Sequence, residues 1–137
     1  MSDRPAWTAN YIGIPFLDRG RDPAVGLDCW GAARHVLMSH YGFPELPMYL
    51  DNYEHTLQRS KIGKLITEQL MEHWRPAETI REGLLVNLRA MGRNCHLGVT
   101  VNETWFLHSE FGCDLTCEEL NGKAWQGRVL GYYEYVG

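Results

Sequence analysis

The apolar positions of the chain change their period near residue 83. Before it, Ala33, Val36, Leu37 and Tyr41 recur at three- and four-residue steps, the repeat of one helix face, and predict a helix over residues 29–41. Asp28 stands where it can cap that helix, and Gly42 with Pro44 ends it. A second stripe, Ile62, Leu65, Ile66, Leu70 and Trp74, predicts a helix over residues 52–74, stopped by Arg75-Pro76. Gly63 inside it costs about 1 kcal/mol relative to alanine, so a break is expected there if anywhere. Beyond residue 83 the runs are short and rich in β-branched and aromatic residues. "GLLVNLRAM" (83–91), "CHLGVTV" (95–101), "TWFLHS" (104–109) and "RVLGYYEYV" (128–136) predict four strands. Helices first and strands later give an α+β fold with an antiparallel sheet. Residues 11–28, punctuated by Gly, Pro and Asp, read as loop, and "DLTCEELNGKAW" reads as a short helical turn.

Length and composition narrow this picture without changing it. A chain of 137 residues predicts a single domain spanning 1–137. Its net charge of −4, with no block of like charges, argues against a nucleic-acid partner. No run approaches the ~18 apolar residues of a membrane span, so no membrane insertion is expected. The opening "MSDRPAWTANYIGIPF" lacks a charged segment followed by an apolar run, which predicts cytoplasmic synthesis without a secretory signal. Four cysteines (Cys29, Cys95, Cys113, Cys117) are too few and too unevenly spaced for a disulfide framework. They are read as thiols, and Cys95, alternating with His96 along a strand, as a buried one.

Cys29 is the thiol with a chemical context. At a helix start it meets free N–H groups and the positive end of the dipole, a setting that favours thiolate, and its own N–H points where an oxyanion would develop. Gly31 admits a close neighbour, either backbone or substrate. A base has to come from one of six histidines. His35, His40, His55 and His73 fall on or beside the predicted helices and read as exposed or capping residues. His96 opens a strand with a glycine two residues on, and His108 ends the next. A three-residue loop of Val101, Asn102 and Glu103 would set the two rings directly opposite each other. A two-residue Asn102-Glu103 turn would place them on opposite faces. In the first case Cys29, His96 and His108 form a triad of nucleophile, base and orienting residue.

These residues resemble a known family. "YIGIPF", "GRDPAVGLDCWG", "CHLGVTV", "TWFLHS" and the closing "GRVLGYYEY" follow the order and spacing of the NlpC/P60 cysteine peptidases, papain-like enzymes acting on peptidoglycan stem peptides. The chain is most similar to the variant encoded beside phage and gene-transfer-agent tail genes. The resemblance implies a papain-like domain with the nucleophile helix packed on an antiparallel sheet. It implies Cys29, His96 and His108 as the triad and cleavage between D-glutamate and a diamino acid, with no metal or organic cofactor. Partners would be a stem peptide and other tail proteins, and the site of action the bacterial wall. Three departures stand out: Phe16 where many members have a tyrosine near the nucleophile, Gly83-Leu84 where many have Gly-Asp, and Trp30 where housekeeping members have serine.

Asp28, Trp30, Arg19 and Arg21 lie nearest the nucleophile in sequence and are the candidate substrate contacts, the two arginines for carboxylates. Two other readings remain open. His108, Cys113 and Cys117, with Cys95 or His96, are residue types for a zinc site. A structural tail component could also keep this fold without turnover.

Overall fold

The computed structural model describes residues 2–137, apart from the side chains of Leu70 and Met71. A 3₁₀ turn (Ala6–Asn10) leads into a small hairpin, β1 (Arg21–Asp22) and β2 (Gly26–Leu27), and then α1 (Cys29–Ser39). α2 (Arg59–His73) runs into β3 (Trp74–Pro76), followed by β4 (Leu85–Ala90), β5 (Arg93–Thr100), β6 (Trp105–His108), β7 (Thr116–Glu119) and β8 (Val129–Tyr135). The last six form one antiparallel sheet in the order β3-β8-β4-β5-β6-β7.

Both helices cover one face of this sheet. Ala33, Val36 and Leu37 of α1 and Ile62, Leu65 and Ile66 of α2 pack against Leu85, Leu97, Val99 and Leu107, the odd-numbered positions of the central strands. Leu70, another member of the α2 stripe, lies outside the described side chains. The even-numbered Val86, Leu88 and Phe106 face the other way and meet Leu120 and Trp125 in a second, smaller core. Residues 84–88 are therefore apolar at nearly every position because the strand is buried on both sides.

Several boundaries differ from the sequence expectation. α2 begins seven residues late because side chains capture the backbone ahead of it. Asp18 accepts from the Thr56 N–H at 2.6 Å, and Gln58 from the Glu54 N–H at 2.7 Å. The helix does not break at Gly63. A Cβ there would lie 2.7 Å from the Asn94 side-chain oxygen, so the glycine admits β5 instead. Residues 116–119, expected within a helical turn, are β7, a half-buried edge strand whose "TCEE" carries no apolar alternation. β3 was hidden in the Arg75-Pro76 helix stop. Pro76 is tolerated because β3 is also an edge strand.

Candidate active site

Cys29 is the first residue of α1, and the helix start is built around Asp28. One Asp28 oxygen accepts the Gly31 N–H at 2.8 Å and an Arg21 Nη1–H at 2.7 Å. The Tyr53 hydroxyl donates to the other. Burial first, and the Asp28 charge second, push the Tyr53 pKa up, which keeps that hydroxyl a donor. A Cβ at Gly31 would lie 2.0 Å from the Gly20 carbonyl oxygen, so the lead-in backbone, not a ligand, fills the space beside this glycine.

The thiol itself is not ionised by its helix. Cys29 is 6% exposed, and burial, followed by the Asp28 carboxylate, pushes its pKa up to about 12. The Leu97 N–H favours the thiolate but does not offset this. Desolvation of a compact anion outweighs the dipole here, which corrects the sequence expectation. That N–H is free for the thiol because β6 stops at His108, one residue before Ser109 could pair with Leu97.

His96 and His108 share the face opposite the helices. The connecting loop is Asn102, Glu103 and Thr104, closed by Val101 N–H to Trp105 O at 2.9 Å. Asn102 Oδ1 accepts from the Thr104 and Trp105 N–H groups, each at 2.8 Å, which starts the loop at that residue. Of the two loop lengths the sequence leaves open, the structure has the three-residue one, displaced by one residue, so that the register differs by two from the directly opposed pairing. Val99 pairs with Leu107, so His108 stands across from Gly98, and the two imidazoles are diagonal neighbours. His96 Nε2 and His108 Nδ1 are 2.7 Å apart. The step is repeated on the next strand: Glu118 lies across from Phe106, and its carboxylate accepts from His108 Nε2.

This chain fixes the tautomers. His108 foremost, with help from Trp125 Nε1 at 2.8 Å, holds the Glu118 carboxyl below its usual range, so it is an acceptor. His108 Nε2 then carries a proton, and in the neutral ring Nδ1 accepts from His96 Nε2–H. The His96 Nδ1 lone pair is left free. Burial, then His108 and Arg128, lower the His96 pKa well below 6.5. Cys29 and His96 line one cleft of about 220 Å³, together with Arg59, Ser109, Glu110 and Arg128.

A family model of NlpC/P60 matches residues 13–134. The chain belongs to the NlpC/P60 family. Members of that family are cysteine hydrolases. Two solved structures show the same fold at low identity. The NlpC/p60 domain of the peptidoglycan hydrolase SagA is 17% identical with a TM-score of 0.58, covering 93% of this chain and 92% of that one. An NLP/P60-family protein similar to a lipoprotein, from Staphylococcus aureus subsp. aureus Mu50, is 18% identical with a TM-score of 0.62. There the match covers 95% of this chain and 39% of the other. No curated protein matches the sequence.

Within this NlpC/P60 domain the candidate substrate contacts are placed differently from their sequence expectation. All five Arg21 donors are engaged, by Gly20, Asp28, Tyr53 and twice by Met48, and its side chain is 7% exposed. Arg21 and Asp28 thus support the helix start from inside the molecule. Arg19 is exposed and donates to the Leu50 carbonyl at 2.8 Å, outside the cleft. Trp30 donates to Pro47 O at 2.8 Å and lines a separate apolar hollow on the other side of Cys29, with Tyr49 and Trp74. The cleft cations are instead Arg59 and Arg128, which no local motif marked. Phe16 packs edge-on to Phe111 of the cleft wall and brings no hydroxyl.

The zinc set does not assemble. Cys117 pairs with Leu107 on the helix-covered face, away from His108, and Cys113 is exposed. Among the described residues, one group places three potential ligand atoms within 4.8 Å of one another: His108, Glu110 and Glu118. Two of these are already joined by their own hydrogen bond.

Gly98 makes the histidine pair possible. A Cβ there would lie 2.8 Å from Phe106 Cδ2, 2.9 Å from Leu107 O and 3.2 Å from His108 Cβ. Gly98→Ala is expected to cost about 1–3 kcal/mol of stability by overpacking and to move His108 away from His96. Urea unfolding checks the first effect and the pH profile of turnover the second. Wild-type values for both would remove Gly98 from this role.

Proposed function

We propose that this NlpC/P60 domain is a cysteine endopeptidase cleaving peptidoglycan stem peptides, with Cys29 as nucleophile, His96 as base and His108 as the orienting residue. One observation carries this reading: Cys29 and His96 line a common cleft, while His108 ties up His96 Nε2 and leaves Nδ1 as the free base. A peptide carbonyl entering the cleft is attacked by Cys29 Sγ as the thiol proton passes to His96 Nδ1. The Cys29 N–H, at the helix start, faces the developing oxyanion. His96 then protonates the leaving amine, and water hydrolyses the acyl-enzyme. The bond we assign is that between D-glutamate, linked through its side-chain carboxyl, and the diamino acid. Association with a phage or prophage tail rests on the resemblance alone, carried by Trp30 in the D-C-W-G motif.

Digestion of purified muropeptides tests the proposal, with products identified by mass. Wild type should release fragments beginning at the diamino acid, and Cys29→Ala none. A second reading, a domain that binds the stem without cutting it, draws on the missing Phe16 hydroxyl and the protonated thiol. It predicts muropeptide binding by wild type with no cleavage.

The pH dependence follows from His96. Its folded pKa lies well below 6.5, so the base is already neutral above that value. kcat/KM should hold as pH falls through 6.5 and decline only at lower pH. Stability contributed by this buried neutral ring is full above 6.5 and is lost as pH falls from there, because only the unfolded chain takes up the proton readily. An acid limb centred at or above 6.5 would count against His96 as the base.

A further inference from the structure

The triad does not end at His108, and the group beyond it has no counterpart in the sequence motifs. Glu118 sits on β7, an edge strand recognisable only in three dimensions. Its carboxylate accepts from His108 Nε2 and, at 2.8 Å, from Trp125 Nε1. Trp125 is itself a wall of the histidine pair. Its ring stacks on His96 with centroids 5.6 Å apart and an interplanar angle of 17°, and it meets His108 edge-on at 5.0 Å. The same tryptophan therefore fixes Glu118 and both imidazoles. Since His108 is 1% exposed, its proton on Nε2 has no solvent partner to compete with Glu118. The charged and titratable groups facing this cluster are Cys29 from α1, Arg59 from α2, Cys95 and His96 from β5, His108 and Glu110 at the end of β6, Glu118 from β7, and Arg128 ahead of β8. Arg128 lies over the Trp125 ring at 4.0 Å from its centroid, and so adds a positive charge beside the pair.

We propose that Glu118 is a positioning residue of this site: it holds the His108 proton on Nε2, so that His96 presents a free Nδ1, and it supplies the negative charge against which His96 becomes imidazolium. The inference rests on the cysteine-hydrolase reading of the cleft. When the Cys29 proton moves to His96 Nδ1, His96 carries protons on both nitrogens and donates Nε2–H to His108 Nδ1. The His108 proton stays on Nε2, and Glu118 stays ionised. No proton leaves the chain until His96 gives one to the leaving amine. Glu110, also acidic and near, makes no hydrogen bond to either ring, so the role falls to Glu118.

Glu118→Gln separates charge from fold, since the amide oxygen can still accept from His108 and Trp125. The test uses the full chain and reads the rate of Cys29 carboxamidomethylation by iodoacetamide across pH, followed by the mass of the Cys29 peptide so that exposed Cys113 does not interfere. We expect Glu118→Gln to slow Cys29 alkylation and muropeptide kcat by about 10–100-fold, as loss of a supporting partner does elsewhere, with KM little changed. The acid limb should move to lower pH, because His96 accepts a proton less readily. An unchanged rate overturns the proposal. So does a limb that moves up toward the ordinary histidine range, which would mean that the variant only loosened the burial of His96. Nitrogen-15 shifts of the wild type give a second test needing no variant: both rings should be protonated on Nε2 at neutral pH, and an Nδ1–H tautomer of His108 refutes the assignment. If wild type alkylates as expected but cleaves no muropeptide, the substrate reading fails while the role of Glu118 stands.

Discussion

Cys29→Ala and His96→Ala are each expected to reduce muropeptide turnover to background, a loss on the order of 10⁶-fold, with the double variant no slower than either single one. The expected lack of additivity follows from the state of the thiol. With its pKa pushed up to about 12 by burial and by Asp28, Cys29 is not a nucleophile until a base removes its proton. His96, kept neutral by its own burial, lines the same cleft and is the base assigned to take that proton. Each residue is idle without the other, so removing the second costs nothing further. A site that relied on a preformed thiolate would behave differently, because His96→Ala would then leave substantial turnover. Single-turnover rates on a defined muropeptide, measured for the four proteins, decide between the two. Additive losses, or a His96→Ala variant within about tenfold of wild type, well short of the 10²–10⁴ typical of general-base catalysis, would defeat the proposed roles.

Asp28→Ala is expected to destabilise the domain by about 3–5 kcal/mol, because it leaves the buried Arg21 guanidinium without its counter-ion. Asp28 is 1% exposed and serves three partners at once: the Gly31 N–H, Arg21 and Tyr53. The substitution removes the helix cap along with the ion pair. Against a typical total of about 5–15 kcal/mol, that is a large share. Asp28→Asn keeps a cap acceptor and loses only the charge, so its loss should be smaller. Urea midpoints for the two variants and wild type measure the difference. A loss below about 1 kcal/mol for Asp28→Ala, the size expected of a cap alone, would mean that Arg21 finds water or another acceptor.

Asp28 also shows where sequence reasoning stopped. Its place one residue before the helix marked it correctly as a cap, but adjacency to Cys29 suggested the cleft, and the side chain turns inward. The place of Arg21 in the lead-in loop suggests a cation for substrate carboxylates, yet Met48, Gly20, Asp28 and Tyr53 consume every donor it has. Tyr53 and Met48 are distant in sequence, so no local pattern announces them. The cations that do line the cleft, Arg59 and Arg128, come from the start of α2 and the approach to β8. Glu118 carries no local mark for a related reason. In "TCEE" it is one of two adjacent glutamates on a segment without apolar alternation, and only pairing with β6 selects it.

The sequence by itself determined the α+β class, the helix beginning at Cys29 and the burial of Cys95. These depend on local rules, a period, a cap and an alternation, which act over a few residues and leave their mark there. Only the tertiary structure decided that the two rings meet as diagonal neighbours, that the resting thiol is protonated, and that Glu118 continues the chain. Those outcomes depend on burial and on partners far away in sequence. Desolvation, which decides the state of the thiol, is a property of the packed molecule and has no counterpart in a run of letters.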